Sequence, residues 1–151
     1  MANCTFFGHR ACPETIKAKL REVLIDLIIN HDVDMFYVGH QGQFDTYVYS
    51  ELKRLKQEYP QINYAVVLAY MPGKKTEYDD YSDTMLPEGI ESIHPHYAIS
   101  WRNNWMLKQS DYVVTYITHS WGGAARYYKK AMGAKKVVVN VVDKQEVHIY
   151  N

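Results

Sequence analysis

The chain has 151 residues, 47% of them hydrophobic, with 17 Lys and Arg balanced by 17 Asp and Glu. That hydrophobic content excludes a disordered chain, and the length suits one domain, 1–151, with a core of its own. Zero formal charge argues against tight nucleic-acid binding, which uses a basic surface to displace counterions, although a local basic patch can hide inside a balanced total.

The first apolar burst, Asn3 to Phe7, reads as a strand that stops at Gly8. A helix follows. Pro13 is tolerated in a first helical turn, Glu14 suits its positive end, and Ile16, Leu20, Val23, Leu24, Leu27 and Ile28 recur at helical spacing. Val33 to Val38 repeats the strand pattern and ends at Gly39. Tyr47, Val48, Leu52 and Leu55 then mark an amphipathic helix closed by Pro60, and the run from Ile62 reads as a buried third strand.

From Pro72 to Pro95 no period holds, and the stretch reads as a loop, either a lid or binding loop or a solvated excursion. Its acids, Glu77, Asp79, Asp80 and Asp83, are a solvated face or groups that close over a ligand. His94-Pro95-His96 reads as a helix entry, followed by a helix to Ser110 and a fourth strand, Asp111 to Ile117. A last helix starts at Gly122-Gly123 and stops near Gly133, and Lys135 to Val142 is a fifth, buried strand. The tail from Asp143 has room for a short extra strand.

Strands alternating with helices, several of them continuously apolar, predict a Rossmann-like α/β fold: three layers, α/β/α, around a mainly parallel five-stranded sheet. Ligands of such sheets bind at the carboxyl ends of the strands, where the strand order reverses. Three loops fall there: Gly8-His9-Arg10, Gly39 to Asp45 ("GHQGQFD"), and Thr118 to Gly123 ("THSWGG"). Gly122 and Gly123 carry no side chain to block a ligand, and the free N–H groups and positive end of the next helix lie behind them. With the hydroxyls of Thr118 and Ser120, and with Arg10 and Arg126, they suit a phosphate; a plain tight turn is the alternative. Gly39, Gly42 and Asp45 make a third side, where Asp45 either caps the next helix or touches ligand.

His9, His40 and His119 each follow a strand, which raises a metal site, but the spacing fits no metal pattern and pocket-lining hydrogen bonders are the preferred reading, with no metal and no cofactor required. Trp121 stacks on a base or ribose, or else packs on the neighbouring helix; Trp101 and Trp105, four apart, share a helix face that suits a core or a dimer contact. Cys4 and Cys12 make neither a disulfide framework nor a zinc spacing, no signal peptide is visible, and no apolar run nears the ~18 residues of a membrane span, so a cytoplasmic setting is expected. Fourteen tyrosines against four phenylalanines suit half-wet surfaces such as pockets or a homo-oligomer contact.

The marks "TFFGHR", "GHQGQFD", "SWRNNWMLKQSDYVV" and "SWGGAARYYKKA", in that order, resemble the SLOG superfamily, the Rossmann-like group that includes the LOG nucleotide hydrolases and DNA-processing protein A, and most of all its YpsA-like branch of small single domains. The resemblance implies a sheet with the first strand central and the fourth beside it, and a nucleotide or nucleotide-derived ligand with its phosphate on the glycine loop. In the LOG enzymes an Arg before the fourth strand and a Glu after the glycine loop cleave an N-glycosidic bond. Arg102, followed by Asn103, matches the Arg; Lys129 stands where the Glu would be. A cation cannot stabilise a developing oxocarbenium charge. The expectation is therefore a sensor or binding module for a nucleotide. The alternatives are a nucleotide N-glycosidic hydrolase using Arg102 and a substitute acid such as Asp45, and a DNA-associated protein.

Overall fold

In the computed structural model, which describes residues 1–70 and 83–142, strand β1 (Ala2–Gly8) runs through the middle of the molecule. Its side chains alternate between faces, as the strand period requires: Cys4 and Phe6 enter one apolar cluster and Phe7 another. Helices α1 (Lys17–Asn30) and α2 (Gln43–Glu58) close the first cluster through Leu20, Leu24, Val48 and Leu52. Helices α3 (Ala98–Gln109) and α4 (Gly123–Gly133) close the second through Met106, Leu107, Tyr127 and Ala131. The result is the three-layer α/β/α arrangement expected.

The other strands are β2 (Val33–Val38), β3 (Asn63–Val67), β4 (Thr84–Met85), β5 (Tyr112–Tyr116) and β6 (Val137–Asn140). All pairings are parallel, in the order β4-β3-β2-β1-β5-β6. The strand expected fourth in the sequence is therefore β5, and it does lie beside a central β1. Among the described residues the sheet has six strands rather than five, because β4 pairs with β3 inside the stretch read as a loop. Two half-buried residues at a sheet edge are too short to leave a period. Residues 71–82, which include the acids Glu77, Asp79 and Asp80, and the tail from Asp143 lie outside the described residues.

Helix α2 shows why the elements form where they do. Phe44, Val48, Leu52 and Leu55 recur every three or four residues, and all four are fully buried. Each contributes about 1.5–3 kcal/mol by leaving water. Arg21 of α1 ties the two helices of this face together, reaching Glu51 at 2.7 Å and Glu58 at 2.6 Å. Helix α1 itself begins later than its pattern predicts, after a 3-10 turn at Glu14–Ile16. At the end of α4 the left-handed position falls on Lys135 (φ 60°) rather than on Gly133. His94 does open a helix entry, its side chain accepting the His96 N–H at 3.0 Å. No helix among the described residues is long and apolar enough to cross a membrane.

The chain starts at β1, moves outward through β2, β3 and β4, and then crosses to β5 and β6 on the other side. The strand order therefore reverses between β1 and β5, and the loops that leave these two strands face each other across that point.

Candidate functional site

The two loops are joined by one histidine. The His9 N–H donates to the Tyr116 carbonyl at 3.1 Å, and His9 Nε2 accepts the Thr118 N–H at 3.0 Å. Burial, reinforced by the nearby His119, lowers the His9 pKa to about 4, so the imidazole stays neutral and keeps the lone pair that this bond needs. His9 stacks on His119 at 3.6 Å between ring centres, and His119 stacks on Trp121 at 3.8 Å. His119 Nδ1 is buried with no hydrogen bond among the described residues. The column ends in solvent, because Trp121 is 68% exposed. Trp121 therefore rests on a histidine ring.

The β1 loop is also tied to the loop after β2. Arg10 Nη2 donates to Gln41 Oε1 at 2.9 Å, the Gln43 N–H donates to the Arg10 carbonyl at 2.9 Å, and Gln43 Oε1 accepts the Cys12 N–H at 3.0 Å. Gly42 sits at this crossing with φ +99°, and a Cβ on it would lie 2.6 Å from Arg10 Cα. Asp45, the third residue of α2, reaches back to accept the Gln41 N–H at 2.8 Å. The N-cap of the helix is Gly42 rather than Asp45; the Asp45 carboxylate instead ties back the loop ahead of the helix and lines the cavity. Its carboxyl is pushed up to about 6, chiefly by burial; the Gln41 N–H and the Arg102 charge pull the other way.

Arg102 comes from α3 and is 1% exposed. Its Nη1 donates to the Val67 carbonyl at the end of β3 (3.0 Å), and its Nε donates to Asn103 Oδ1 (2.8 Å). A cation buried this deeply is held in one position by the oxygens that accept its N–H groups. Arg102 and Asp45 flank Gly39, where an added Cβ would come within 3.4 Å of the guanidinium and 3.1 Å of the carboxylate.

Opposite them lies the start of α4. Gly122 (φ +97°) precedes its first turn, and nothing stands within 4 Å of where a Cβ on Gly122 or Gly123 would be. The first backbone N–H groups of the helix have no intrahelical partner, and these two glycines leave them open to the cavity.

These pieces enclose a cavity of about 630 Å³. Of the residues singled out in the sequence, Gly8, His9, Arg10, Asp45 and Arg102 line it, as do Asn103, Thr118, Gly122 and Gly123. Gly39 and Gly42 are not in its lining; they allow close approaches behind it. Ser120 and Arg126 lie instead in an adjoining cleft of about 530 Å³, which shares Gly122 with the cavity. The sequence reading missed Gln41, Ile99 and Met106 as cavity-lining residues. Ile99, Arg102, Asn103 and Met106 are spaced three, four and seven along α3 and so form one face, a signal legible once Arg102 was chosen. Trp105 packs edge-on against Tyr37 at 5.1 Å, while Trp101 is 39% exposed. Among the described residues, no three His, Cys, Asp or Glu side chains are grouped to hold a metal ion.

No family model matches the chain, and no curated protein matches it. Among solved structures it is similar to DNA processing protein A from Streptococcus pneumoniae, with a TM-score of 0.65 and 15% sequence identity over 91% of this chain and 49% of that one. The chain thus spans about half the length of that protein. At this identity the likeness is one of fold: the chain has a Rossmann-like sheet of the kind found in DNA processing protein A.

Proposed function

We propose that this chain binds a nucleotide or nucleotide-derived ligand in the cavity between β1 and β5 and acts as a sensor or binding module, on the pattern of the YpsA-like branch of the SLOG superfamily. The observation that carries the reading is the unobstructed start of α4, Gly122-Gly123, on the wall of a cavity that also holds the buried cation Arg102. A helix N-terminus without side chains in the way takes phosphate on its N–H groups. In this reading Arg102 and Asn103 face the sugar or phosphate, Arg10 closes the rim, and the exposed face of Trp121 takes the base, as aromatic platforms do. Lys129, standing where a LOG enzyme has its glutamate, directs its ammonium to the Ser120 carbonyl at 3.4 Å, which favours binding over turnover.

One observation supports a second reading, N-glycosidic hydrolysis. Asp45, with its pKa near 6 beside Arg102, is a carboxyl that is partly protonated at neutral pH. As a general acid it gives its proton to the leaving base as the glycosidic bond breaks; water adds to the sugar carbon and its released proton restores the Asp45 carboxyl.

The test is a thermal-shift screen of the wild type and Gly123→Asp against mononucleotides, dinucleotides and ADP-ribose and its cyclic forms, followed by product analysis of each stabilising ligand. Ligands that stabilise the wild type and lose their effect in Gly123→Asp support the cavity; breakdown of such a ligand, abolished by Asp45→Asn, moves the reading to the hydrolase. A wild type that no nucleotide stabilises refutes both.

A further inference from the structure

The balanced total charge conceals an uneven distribution. Between Ser92 and Val142 the chain carries seven lysines and arginines and a single acid, Asp111. Asp111 precedes β5, at the amino end of the sheet, where it accepts the Asn3 N–H; it is remote from the carboxyl-end cavity. Neither α3 nor α4 contains an Asp or Glu. The cleft that adjoins the cavity lies on this side and is lined by Ser120, Gly122, Arg126, Lys129 and Lys130.

The three cations are at positions i, i+3 and i+4 of α4, one face of the helix, where like charges repel. Lys129 is held by the Ser120 carbonyl at 3.4 Å, and Lys130 by Asn104 Oδ1 at 3.0 Å and over the Tyr127 ring at 5.1 Å. These partners are neutral, so they fix the ammonium groups without cancelling their charge. No ion pair among the described residues involves any of the three. A self-repelling trio around a concave space is the arrangement that an extended anion relieves. Gly122 belongs to both spaces and carries no side chain, so a ligand can pass from one to the other.

We infer that the ligand carries a chain of two or more phosphates, the proximal one at Gly122-Gly123 and the distal one in the adjoining cleft against Arg126, Lys129 and Lys130. The inference rests on the nucleotide reading of the cavity and narrows it from nucleotides in general to nucleoside polyphosphates or dinucleotides joined through phosphates.

Titration calorimetry without divalent cations, at fixed ionic strength, compares AMP, ADP, ATP, a diadenosine polyphosphate and inorganic triphosphate on the wild type and on Arg126→Ala/Lys129→Ala. Both substituted residues are exposed, so the fold is expected to survive. ADP and ATP should bind about tenfold or more tightly than AMP, since each added phosphate gains charge-assisted hydrogen bonds. The double variant should erase that preference and leave AMP affinity unchanged. Whichever of ATP and the diadenosine compound binds tighter identifies the source of the phosphate chain. AMP and ATP binding within twofold of each other, or a variant that weakens both alike, overturns the inference and leaves the nucleotide cavity standing. Inorganic triphosphate binding alone, with no nucleotide bound, overturns both. Binding of a single-stranded oligonucleotide that ATP does not displace also overturns it, in favour of a nucleic-acid surface.

Discussion

Gly8 and Gly123 both line the cavity, yet the structure gives them opposite consequences when replaced by alanine. A Cβ on Gly8 would stand 2.2 Å from Phe44 Cδ2 and 2.4 Å from Cγ. The Phe44 ring is fully buried in the first cluster, so it has no solvent to turn into. Overpacking of this kind costs about 1–3 kcal/mol, and here α2 itself must move away from β1. Gly123 is the first residue of α4, with nothing within 4 Å of an added Cβ. Alanine there lowers the backbone entropy of the unfolded chain and is worth up to about 1 kcal/mol in favour of folding. Urea denaturation of the two variants beside the wild type tests this. Gly8→Ala should lower the midpoint at unchanged slope, and Gly123→Ala should leave it in place or raise it. A Gly8→Ala variant within about 0.5 kcal/mol of wild type would refute the close approach of α2 to β1.

Two further outcomes concern pH. The Asp45 carboxyl titrates near 6, above its ordinary 3.8, so the folded state holds a proton that the unfolded chain has released; this contribution to stability is present below about pH 4 and is lost as pH rises to about 6. Asp45→Asn should remove a loss of about 1–2 kcal/mol over that window, seen as the difference between the two pH–stability curves from denaturant titrations; parallel curves would contradict the raised pKa. His9 has the opposite sign: with its pKa lowered from 6.5 to about 4, the unfolded chain binds the proton first, and stability falls as pH drops through that range. His9→Gln, which keeps an acceptor for the Thr118 N–H, should flatten this acid-side fall; an unchanged slope would assign it to other groups.

The layered fold was legible because the strands are long and apolar and the helices amphipathic. Helix α2 could be read directly from Val48, Leu52 and Leu55, which turn out to be buried together. Strand β4 could not, since two residues held by a neighbouring edge carry no period of their own. The placement of Gly8-His9-Arg10 beside Thr118 to Gly123 followed from the strand order that the family resemblance implies, and the His9 bond to Thr118 bears it out. Side-chain direction was not legible. Ser120 and Gly123 are three apart, but only Gly123 reaches the cavity, and Ser120 turns into the adjoining cleft. The stack of His9, His119 and Trp121 was hidden for the same reason: three residues with no common period meet only after two loops are joined. Gly39 and Gly42 read as ligand contacts because a glycine that admits a ligand and a glycine that admits a neighbouring chain look identical in sequence.

Asp45 and Arg102 tie part of the cavity's charge to one proton. Arg102 is fixed as a cation, because its guanidinium cannot lose a proton at any accessible pH; its Nη1 and Nε donate to the oxygens of Val67 and Asn103. Asp45 sits across Gly39 from it with a pKa near 6. Above that pH the carboxylate offsets part of the positive charge lining the cavity; below it that offset is lost. An anion placed between them adds a second negative charge beside Asp45 and therefore favours its protonated form. Binding of a phosphate and uptake of a proton are then coupled, and the coupling works in both directions: acid strengthens the anion site, and the anion raises the carboxyl pKa further. The same coupling bears on catalysis. A carboxyl whose protonated share rises when an anion binds becomes a better proton donor as a nucleotide arrives, so the property that would make Asp45 a general acid also makes a pure binding site responsive to pH.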